Sequence, residues 1–328
     1  MTANTSAQDS STFNAASTTD EVLSGIDLHG KRVLITGGSS GLGLESARAL
    51  ASAGAELILT ARDERKYQAA SEHIRSQLPQ AKLHFCALQL EDLDSCRAAA
   101  KALRSHFDSL DFILANAGVM ACEQRRTTQG YDWQFGVNHL GHFVFVNHLL
   151  PLLKSEDCRV AILSSAGHRA ANIRFDDPNF QCGDYDKWVS YGQAKTANAL
   201  YAVELNRRMP CGTAYAVHPG AIATGLSRHL TRDDMLALGA EMKGADLQLK
   251  SIEAGAATQV WALTAATLAG QGGLYLEDCQ IAVSSPEGNS GYRPYALDAD
   301  AAQRLWQLSE QLVGEQFTFV CSNSFLPV

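Results

Sequence analysis

The stretch Lys31–Gly43, which reads K-R-V-L-I-T-G-G-S-S-G-L-G, decides the fold of this chain. Its first half is a short apolar run of the kind that forms a buried strand, and its second half is a glycine-rich turn. Helical spacing of apolar residues follows over Leu42–Ala53. A strand, a glycine-rich turn and a helix N-terminus in this order present unpaired backbone N–H groups to an anion. The stretch therefore predicts a βα unit that binds a phosphate, although a tight turn without a ligand has the same composition.

The same alternation of strand and helix continues along the chain. Seven short apolar runs indicate strands: Lys31–Thr36, Glu56–Ala61, Lys82–Ala87, Leu110–Ala115, Arg159–Ser164, Thr213–Val217 and Gly273–Leu276. The segments between them have helical spacing: Leu42–Ala53, Asp63–Leu78, Leu93–Phe107, Gly130–Leu153, Tyr191–Met209 and Ser251–Ala266. This alternation is typical of parallel sheets with helices on both faces. It predicts an α/β fold, a single doubly wound (Rossmann) domain with a seven-stranded parallel sheet and a helical lid.

Composition divides the chain into three parts. Residues 1–17 are mainly Ser, Thr, Ala and Asn, which bury too little apolar area to offset their ordering entropy, so we expect a disordered or loosely ordered N-terminal tail. Residues 18–314 form the predicted domain, and residues 315–328 form a C-terminal extension. Within the domain, residues 225–250 have helical spacing but no strand partner. We expect them to form a lid, because open α/β sheets bind ligands beyond their strand ends.

The overall composition excludes several classes of function. The 328 residues include 27 basic and 35 acidic side chains, for a net charge of −8, and no basic run exceeds two residues, so nucleic-acid binding is not expected. No apolar run approaches the roughly 18 residues of a membrane span. The first basic residue is Lys31, too late for a secretory or mitochondrial leader, so we expect a cytoplasmic protein. The eight cysteines include no C-x-x-C pair, so neither a disulfide framework nor a metal site is expected.

The glycine spacing and five later motifs together have a known counterpart. Gly37, Gly41 and Gly43 follow T-G-x-x-x-G-x-G, which departs from the usual G-x-G-x-x-G. The later motifs come in order, each at a predicted strand end or in a helix: Asn116-Ala117-Gly118, Asn138 in V-N-H-L-G, Leu163-Ser164-Ser165, Tyr191-x-x-x-Lys195, and His218-Pro219-Gly220 followed by Thr224. In this combination the chain resembles the short-chain dehydrogenase/reductase (SDR) family. The run R-V-A-I-L-S-S-A-G-H at 159–168 resembles its retinol-dehydrogenase-like branch.

The resemblance implies four catalytic residues, Asn138, Ser165, Tyr191 and Lys195. Reduction of a carbonyl by hydride produces an alkoxide, so the site needs a proton donor and a group that polarises the carbonyl. By the resemblance, Tyr191 donates the proton, Ser165 hydrogen-bonds the substrate oxygen, and Asn138 holds a water that links Lys195 to solvent. This role asks Tyr191 for a pKa well below about 10. The ammonium of Lys195, one helical turn away, together with the positive nicotinium of the oxidised complex, has the charge to lower it.

The resemblance also implies a dinucleotide cofactor, with Lys195 on the nicotinamide ribose. The expected contacts are Gly37, Ser39, Ser40, Gly41, Leu42, Gly43, Arg62, Gln89, Leu90, Asn116, Ala117, Gly118, Tyr191, Lys195, Pro219, Gly220 and Thr224. An arginine at the end of the second strand accommodates a 2′-phosphate, whereas an acidic residue there holds the ribose of NAD. Arg62 follows Ala61 with no carboxylate before it, so NADP(H) is preferred over NAD(H), with Ser39 or Thr60 assisting, unless Arg62 is merely a solvated surface residue.

One position departs from the family pattern. Gln89 stands where an aspartate near the adenine amine is usual. Because a glutamine can still accept from that amine, we expect altered geometry rather than lost binding.

Together these features predict an NADP(H)-dependent oxidoreductase that interconverts a ketone or aldehyde and its alcohol. The expected substrate is a bulky apolar small molecule such as a retinoid, a steroid or an aryl ketone. One alternative is a catalytically idle, dinucleotide-binding sensor or partner protein, and the complete set of four polar residues favours the enzyme. Another is a nucleotide-sugar epimerase or dehydratase, whose T-G-x-x-G-x-x-G pattern would require glycine at Ser40. By resemblance, the helical segments Gly130–Leu153 and Tyr191–Met209 form a subunit seam, which predicts a homodimer or homotetramer.

Overall fold

One sheet runs through the chain in the computed structural model, which describes residues 13–244 and 249–319, without the side chains of 240–244. Its strands are β1 (Arg32–Ile35), β2 (Glu56–Ala61), β3 (Leu83–Ala87), β4 (Phe112–Ala115), β5 (Arg159–Leu163), β6 (Thr213–His218), β7 (Leu274–Glu277) and β8 (Gln280–Ile281). Their order is β3-β2-β1-β4-β5-β6-β7-β8, in which the first seven are parallel and β8 is antiparallel to β7. The predicted seven-stranded parallel sheet is confirmed. Strand β8 was missed because two exposed residues provide no apolar period.

The helices follow the predicted alternation with two exceptions. They are α1 (Thr19–Val22), α2 (Gly41–Ser52), α3 (Glu64–Gln77), α4 (Leu93–His106), α5 (Trp133–Phe135), α6 (Gly141–Leu149), α7 (Lys187–Arg208), α8 (Arg232–Gly244), α9 (Ile252–Thr264) and α10 (Ala299–Val313). The predicted helix Gly130–Leu153 is divided, because a π-helical turn over Gly136–Leu140 joins α5 to α6. Sequence reasoning missed α10, although Asp298 caps its start and Gly314 ends it with a φ of +71°.

Helices cover both faces of the sheet, and the strand order determines where a ligand can bind. Successive residues of β1 point to opposite faces. Leu34 belongs to the core shared with α4, α6, α7 and α10, and Ile35 belongs to the core shared with α2 and α9. The order reverses between β1 and β4, so a crevice opens there at the carboxyl ends of the strands. Among the helices of the described residues, none is long and apolar enough to cross a membrane.

The C-terminal helix packs on α6 and α7, which belong to the two helical segments that the sequence predicted at a subunit seam. The ring of Trp306 on α10 lies 5.0 Å from Phe143 of α6 and 5.9 Å from Tyr201 of α7. Phe317, beyond α10, lies 5.5 Å from Phe143. A polar contact of 2.8 Å joins Ser309 Oγ to His139 Nε2. The two predicted seam helices are therefore buried by their own chain along this contact.

Both predicted terminal segments lie partly outside the described residues. Residues 1–12 of the predicted tail and residues 320–328 of the predicted extension are not described. Of the described parts, Phe13 packs on the core, and its backbone oxygen accepts from Gln280 Nε2 at 3.0 Å. Glu315 accepts from Arg97 and lies 2.8 Å from His148 Nε2. The domain boundaries themselves stay a prediction.

Candidate active site

The turn after β1 can be built only with glycine at two of its positions. Gly37 has a φ of +66°, a left-handed conformation that favours glycine. A Cβ at Gly43 would lie 2.3 Å from the backbone oxygen of Gly37 and 2.6 Å from Nδ2 of Asn116, both far inside contact distance. The N–H of Gly37 donates to Oγ1 of Thr60 at 3.3 Å. Thr60 is buried and supports the turn. Its assistance at a phosphate stays a prediction.

The start of α2 is open to an anion. Ser40 precedes the helix with an extended backbone, and its side chain makes no capping hydrogen bond. In contrast, Asp63 and Asp92 cap α3 and α4 by accepting from backbone N–H groups. Helix N-termini that lack such a cap need another partner for their first N–H groups. A pyrophosphate fits this need, because the N–H groups and the helix dipole both favour negative charge there.

The predicted contacts near this start differ in exposure. Ser39 and Leu42 are half-buried at the turn, while Ser40 is exposed. Thr224, beyond the end of β6, lies against the turn, since a Cβ at Gly41 would be 3.7 Å from its Cβ. The structure thus brings the first and the last of the sequence motifs together at one helix N-terminus.

The Asn116-Ala117-Gly118 segment joins the glycine turn to the polar residues of the following helices. Asn116 Nδ2 donates to the backbone oxygen of Thr36 at 2.9 Å, and the N–H of Ala117 donates to Thr36 Oγ1 at 3.0 Å. A Cβ at Gly118 would lie 2.9 Å from Oδ1 of Asn138. Close approach on both sides explains why small residues occupy this segment.

Asn138 lies in the π-helical turn and is completely buried. Its Oδ1 accepts from the N–H of Val119 at 2.8 Å, and its Nδ2 donates to the oxygen of Val119 at 2.9 Å. Backbone therefore pairs with both polar atoms of the amide. This clamp fixes the orientation of Asn138 relative to Gly118, the residue directly before Val119 in the loop after β4. The water that the resemblance implies beside Asn138 stays a prediction.

Three further residues complete what we call the polar cluster, which consists of Asn138, Ser165, Tyr191 and Lys195. Tyr191 and Lys195 lie one turn apart on α7 and are each only 4% exposed. The Nζ of Lys195 donates to the oxygen of Leu163 at 3.0 Å and lies 5.7 Å from the ring centroid of Tyr191. Ser165, just beyond β5, hydrogen-bonds the Tyr191 side chain.

The loop after β5 is held tightly against α7. Ser165 Oγ accepts from the N–H of Gly167 at 3.1 Å, and a Cβ at Gly167 would lie 2.5 Å from the Tyr191 ring. Ser164 donates its hydroxyl to the backbone oxygen of Lys195 at 2.8 Å. The preceding serine thus holds the helix, while Ser165 is the one that reaches the tyrosine.

Burial determines the protonation of the two titratable members of the polar cluster. It raises the pKa of Tyr191 to about 12, against the opposing effect of the Ser165 hydrogen bond. It lowers the pKa of Lys195 to about 8. The sequence predicted a lowered Tyr191 pKa, but here burial outweighs the distant ammonium. At neutral pH, in the protein without cofactor, the phenol is therefore protonated and Lys195 is mostly charged.

The remaining predicted contacts lie around the crevice. Arg62 and Gln89 are exposed at the carboxyl ends of β2 and β3. Leu90 is buried, and its backbone oxygen would lie 2.4 Å from a Cβ at Gly141 of α6. After β6, Pro219 and Gly220 are half-buried, and Gly220 has a φ of +96°.

Sequence reasoning missed two histidines that brace the same loop. Nδ1 of His168 lies 2.6 Å from the backbone oxygen of Ser165, and Nδ1 of His218 accepts from the N–H of Ala166 at 3.2 Å. Burial lowers the pKa of His168 to about 4 and that of His218 to about 3, so both rings are neutral. The available signal was their position, three residues after Ser165 and directly before Pro219-Gly220.

Known proteins resemble this chain over most of its length. The short chain dehydrogenase family matches residues 31–176. Short-chain dehydrogenase/reductase prx1 of Penicillium rubens is 36% identical over 293 residues, which cover 86% of this chain and 85% of that protein. Retinol dehydrogenase 13 of Homo sapiens is 36% identical over 292 residues, which cover 87% of this chain and 85% of that protein. The solved structure of an uncharacterized protein from Mycobacterium Paratuberculosis matches with a TM-score of 0.70 at 29% identity, covering 96% of this chain and 100% of the other.

The fold, the site and these relatives define an oxidoreductase of the alcohol and carbonyl type whose family binds an NAD(P) dinucleotide. The chain belongs to the short-chain dehydrogenase/reductase family. Its relatives place it in the retinol-dehydrogenase-like branch, which confirms the resemblance drawn from the motifs.

Proposed function

We propose that this protein uses NADP(H) to interconvert a ketone or aldehyde and the corresponding alcohol. The observation that carries the proposal is the polar cluster, in which a buried phenol contacts a serine and lies one helical turn from a buried ammonium. A protonated phenol beside a hydroxyl is suited to deliver a proton to an alkoxide as it forms. A cofactor-binding sensor would have no need for this arrangement.

The four residues divide the work of proton transfer. Ser165 donates a hydrogen bond to the substrate oxygen, and Tyr191 gives that oxygen its proton. Lys195 stabilises the phenolate that remains and holds the nicotinamide ribose. Asn138 keeps a water beside Lys195 through which the proton is replaced from solvent. The nicotinamide supplies the hydride in reduction and accepts it in alcohol oxidation.

The cofactor is held by the elements that meet at the start of α2. The N–H groups at Gly41, Leu42 and Gly43 bind the pyrophosphate, and Arg62 binds the 2′-phosphate that distinguishes NADP(H). Gln89 and Leu90 border the adenine, and Pro219, Gly220 and Thr224 border the nicotinamide amide. Support for the phosphate site comes from the uncapped helix start and the glycine turn.

The substrate is proposed to be bulky and apolar, as the name of the relative retinol dehydrogenase 13 suggests. Val119 is buried and Met120 half-buried directly after Gly118, and Tyr185 donates its hydroxyl to the oxygen of Cys122 at 2.8 Å. With Trp188, these side chains supply apolar surface beside the polar cluster. A cytoplasmic location stays a prediction.

We also propose a revision of the expected assembly. The predicted homodimer or homotetramer uses the segments that contain α6 and α7, and α10 covers part of both helices through Trp306. A seam on these helices would therefore use the surface that α10 leaves free, or would displace α10. Sedimentation of the full chain, compared with a variant that carries Trp306→Ala, measures this directly.

Turnover of a carbonyl panel tests the proposed function. The purified full chain is incubated with NADPH and retinal, steroid ketones or aryl ketones, and loss of the cofactor's absorbance is followed. The corresponding alcohols with NADP⁺ test the reverse direction. We expect cofactor-dependent turnover of at least one apolar carbonyl, and its loss in Tyr191→Phe. Dinucleotide binding without turnover of any substrate would favour the sensor instead.

A further inference from the structure

His142 is buried one turn after Asn138, and the contacts of both its ring nitrogens are defined. Nδ1 lies 2.9 Å from the backbone oxygen of Asn138, and Nε2 lies 2.9 Å from Oγ1 of Thr36. A carbonyl oxygen can only accept, so Nδ1 carries the proton. Burial lowers the pKa of His142 to about 4, so the ring is neutral at pH 7 and Nε2 accepts from the Thr36 hydroxyl.

These two hydrogen bonds are part of a closed ring. Oγ1 of Thr36 accepts from the N–H of Ala117, and two residues further on the N–H of Val119 donates to Oδ1 of Asn138. The ring therefore runs from Asn138 through His142 and Thr36 to the segment 117–119 and back to Asn138. Each donor and acceptor on it has a single possible direction, so the arrangement has one low-energy form.

We propose that His142 is a positioning residue that locks Asn138 and the backbone of Ala117 to the glycine turn. The effect of His142 on turnover rests on the proposed function, because His142 acts through Asn138. The ring nitrogens supply the only side-chain link between Thr36 and Asn138 among the described residues. Without it, the hydrogen-bonded ring would be open between Asn138 and Thr36.

The same region offers a matched control in His139. His139 lies in the π-helical turn and, like His142, is buried, and burial lowers the pKa of His139 to about 3. Its Nε2 contacts Ser309 on α10 at 2.8 Å, and its ring packs near Phe135 and Tyr201. A substitution there disturbs a buried histidine of the same segment without touching Thr36 or Asn138.

Three variants of His142 separate its two hydrogen bonds. His142→Asn keeps a donor near the Nδ1 position, His142→Gln keeps an acceptor near the Nε2 position, and His142→Ala removes both. We expect His142→Ala to lower kcat about 10- to 100-fold, since it leaves buried polar groups unpaired. Each conservative variant should recover part of the loss, while His139→Gln stays within about threefold of wild type. The KM for the carbonyl should change less than kcat in all four.

Two readouts report on the link without depending on turnover. Nitrogen-15 NMR of the wild-type ring should show a protonated Nδ1 and an unprotonated Nε2. Amide hydrogen exchange at Ala117 and Val119 should be faster in His142→Ala and unchanged in His139→Gln. If His142→Ala does not fold, the asparagine and glutamine variants provide the same comparison.

The outcomes separate this inference from the proposed function. Wild-type protein that turns over no carbonyl would overturn the proposed function, and the tautomer and exchange rates would still decide the link. Wild-type kcat and amide protection in His142→Ala would overturn the inference alone. Equal losses in His139→Gln and His142→Gln would also overturn it, because the effect would then be general destabilisation of the helix.

Discussion

The polar cluster and the exposed rim of the crevice are built differently. The rim comprises Arg62 and the described residues 225–244 and 249–250. In the cluster, Asn138, Tyr191 and Lys195 are at most 4% exposed, and backbone groups of neighbouring loops hold them. On the rim, Met235 is 53% and Leu236 64% exposed. Side chains held on all sides keep one geometry, whereas sparsely packed segments can rearrange around a ligand. The contrast suggests that the cluster performs the reaction and that the rim selects the cofactor and substrate.

The largest effect is expected inside the cluster. Tyr191→Phe removes the phenolic hydroxyl and leaves the glycine turn untouched, so kcat should fall about 10²- to 10⁴-fold with little change in NADPH affinity. Tyr201→Phe is a matched control, because Tyr201 is also buried on α7 and its hydroxyl donates to Asn147 at 2.9 Å. Steady-state kinetics and cofactor titration of both variants provide the comparison.

A small effect of Tyr191→Phe would contradict the claim that the polar cluster performs the reaction. If that variant keeps more than about a tenth of wild-type kcat, another group supplies the proton. If Tyr201→Phe loses as much, the loss reflects packing of α7 rather than chemistry.

The next effect concerns Arg62 and the choice of cofactor. Charge-assisted hydrogen bonds to a 2′-phosphate contribute about 1.5–3 kcal/mol each, so one or two of them predict a roughly ten- to thousandfold preference for NADPH in kcat/KM. Arg62→Ala should remove most of this preference by weakening the use of NADPH alone. Arg75→Ala, exposed at the other end of α3, is the control. The measurement is kcat/KM for both cofactors at one ionic strength, since salt screens exposed charges.

A different result would mean that Arg62 is only a solvent-exposed surface residue. Wild-type preference for NADH, or an unchanged ratio in Arg62→Ala, would mean that the arginine at the end of β2 does not bind the cofactor.

The two regions also differ in how far the sequence could predict them. Strands could be predicted because each is a short apolar run between turn residues, and the motifs lie at strand ends or in helices as expected. The hydrogen-bond partners of Asn138 could not be predicted, since nothing in the local sequence indicates that the backbone of Val119 contacts the Asn138 amide. The covering of α6 by Trp306 depends on a contact across more than 150 positions, which no periodicity encodes.

A smaller effect follows from the charge of Lys195. Because burial lowers its pKa to about 8, the lysine loses its proton as pH rises through 8. The value of kcat/KM for NADPH reports groups of the free enzyme. Above pH 8 it should fall with a slope that approaches tenfold per pH unit.

The free energy of unfolding should change in the opposite direction. Between pH 8 and 10 the unfolded chain, with an ordinary lysine pKa, binds more protons than the folded one, so the free energy of unfolding rises.

Lys195→Met separates this lysine from the other groups that titrate. In the variant, the rise in stability between pH 8 and 10 should be reduced by the share that Lys195 contributes. Denaturant unfolding of both proteins across this range measures the difference. A kcat/KM that stays flat to pH 9.5, or identical stability profiles, would mean that Lys195 is not the group that titrates near 8.

The smallest effect is expected on the rim, in residues 225–250, which stay a predicted lid. Asp234 on α8 accepts from Lys187, one turn before Tyr191, at 2.5 Å, and this hydrogen bond is the main reason that the pKa of Asp234 is lowered to about 2. The carboxylate of Asp234 therefore stays charged at any pH where the enzyme is assayed. Because partly exposed ion pairs contribute little, Asp234→Asn should raise KM for the carbonyl only a few-fold and leave kcat nearly unchanged.

Hydrogen exchange tests whether this segment behaves as a lid. Amides of α8 in the described part of the segment should exchange faster than those of α7 in the free protein, and they should gain protection when NADPH and an unreactive ketone analogue bind together. Asp233→Asn, at an exposed neighbouring carboxylate, should match wild type, whereas Asp234→Asn should need more analogue for the same protection. Equal protection with and without ligands would mean that α8 is fixed structure. The rise in KM in Asp234→Asn would then be caused by loss of the ion pair at the start of α7. The contrast between a rigid cluster and an adaptable rim would hold only for Arg62.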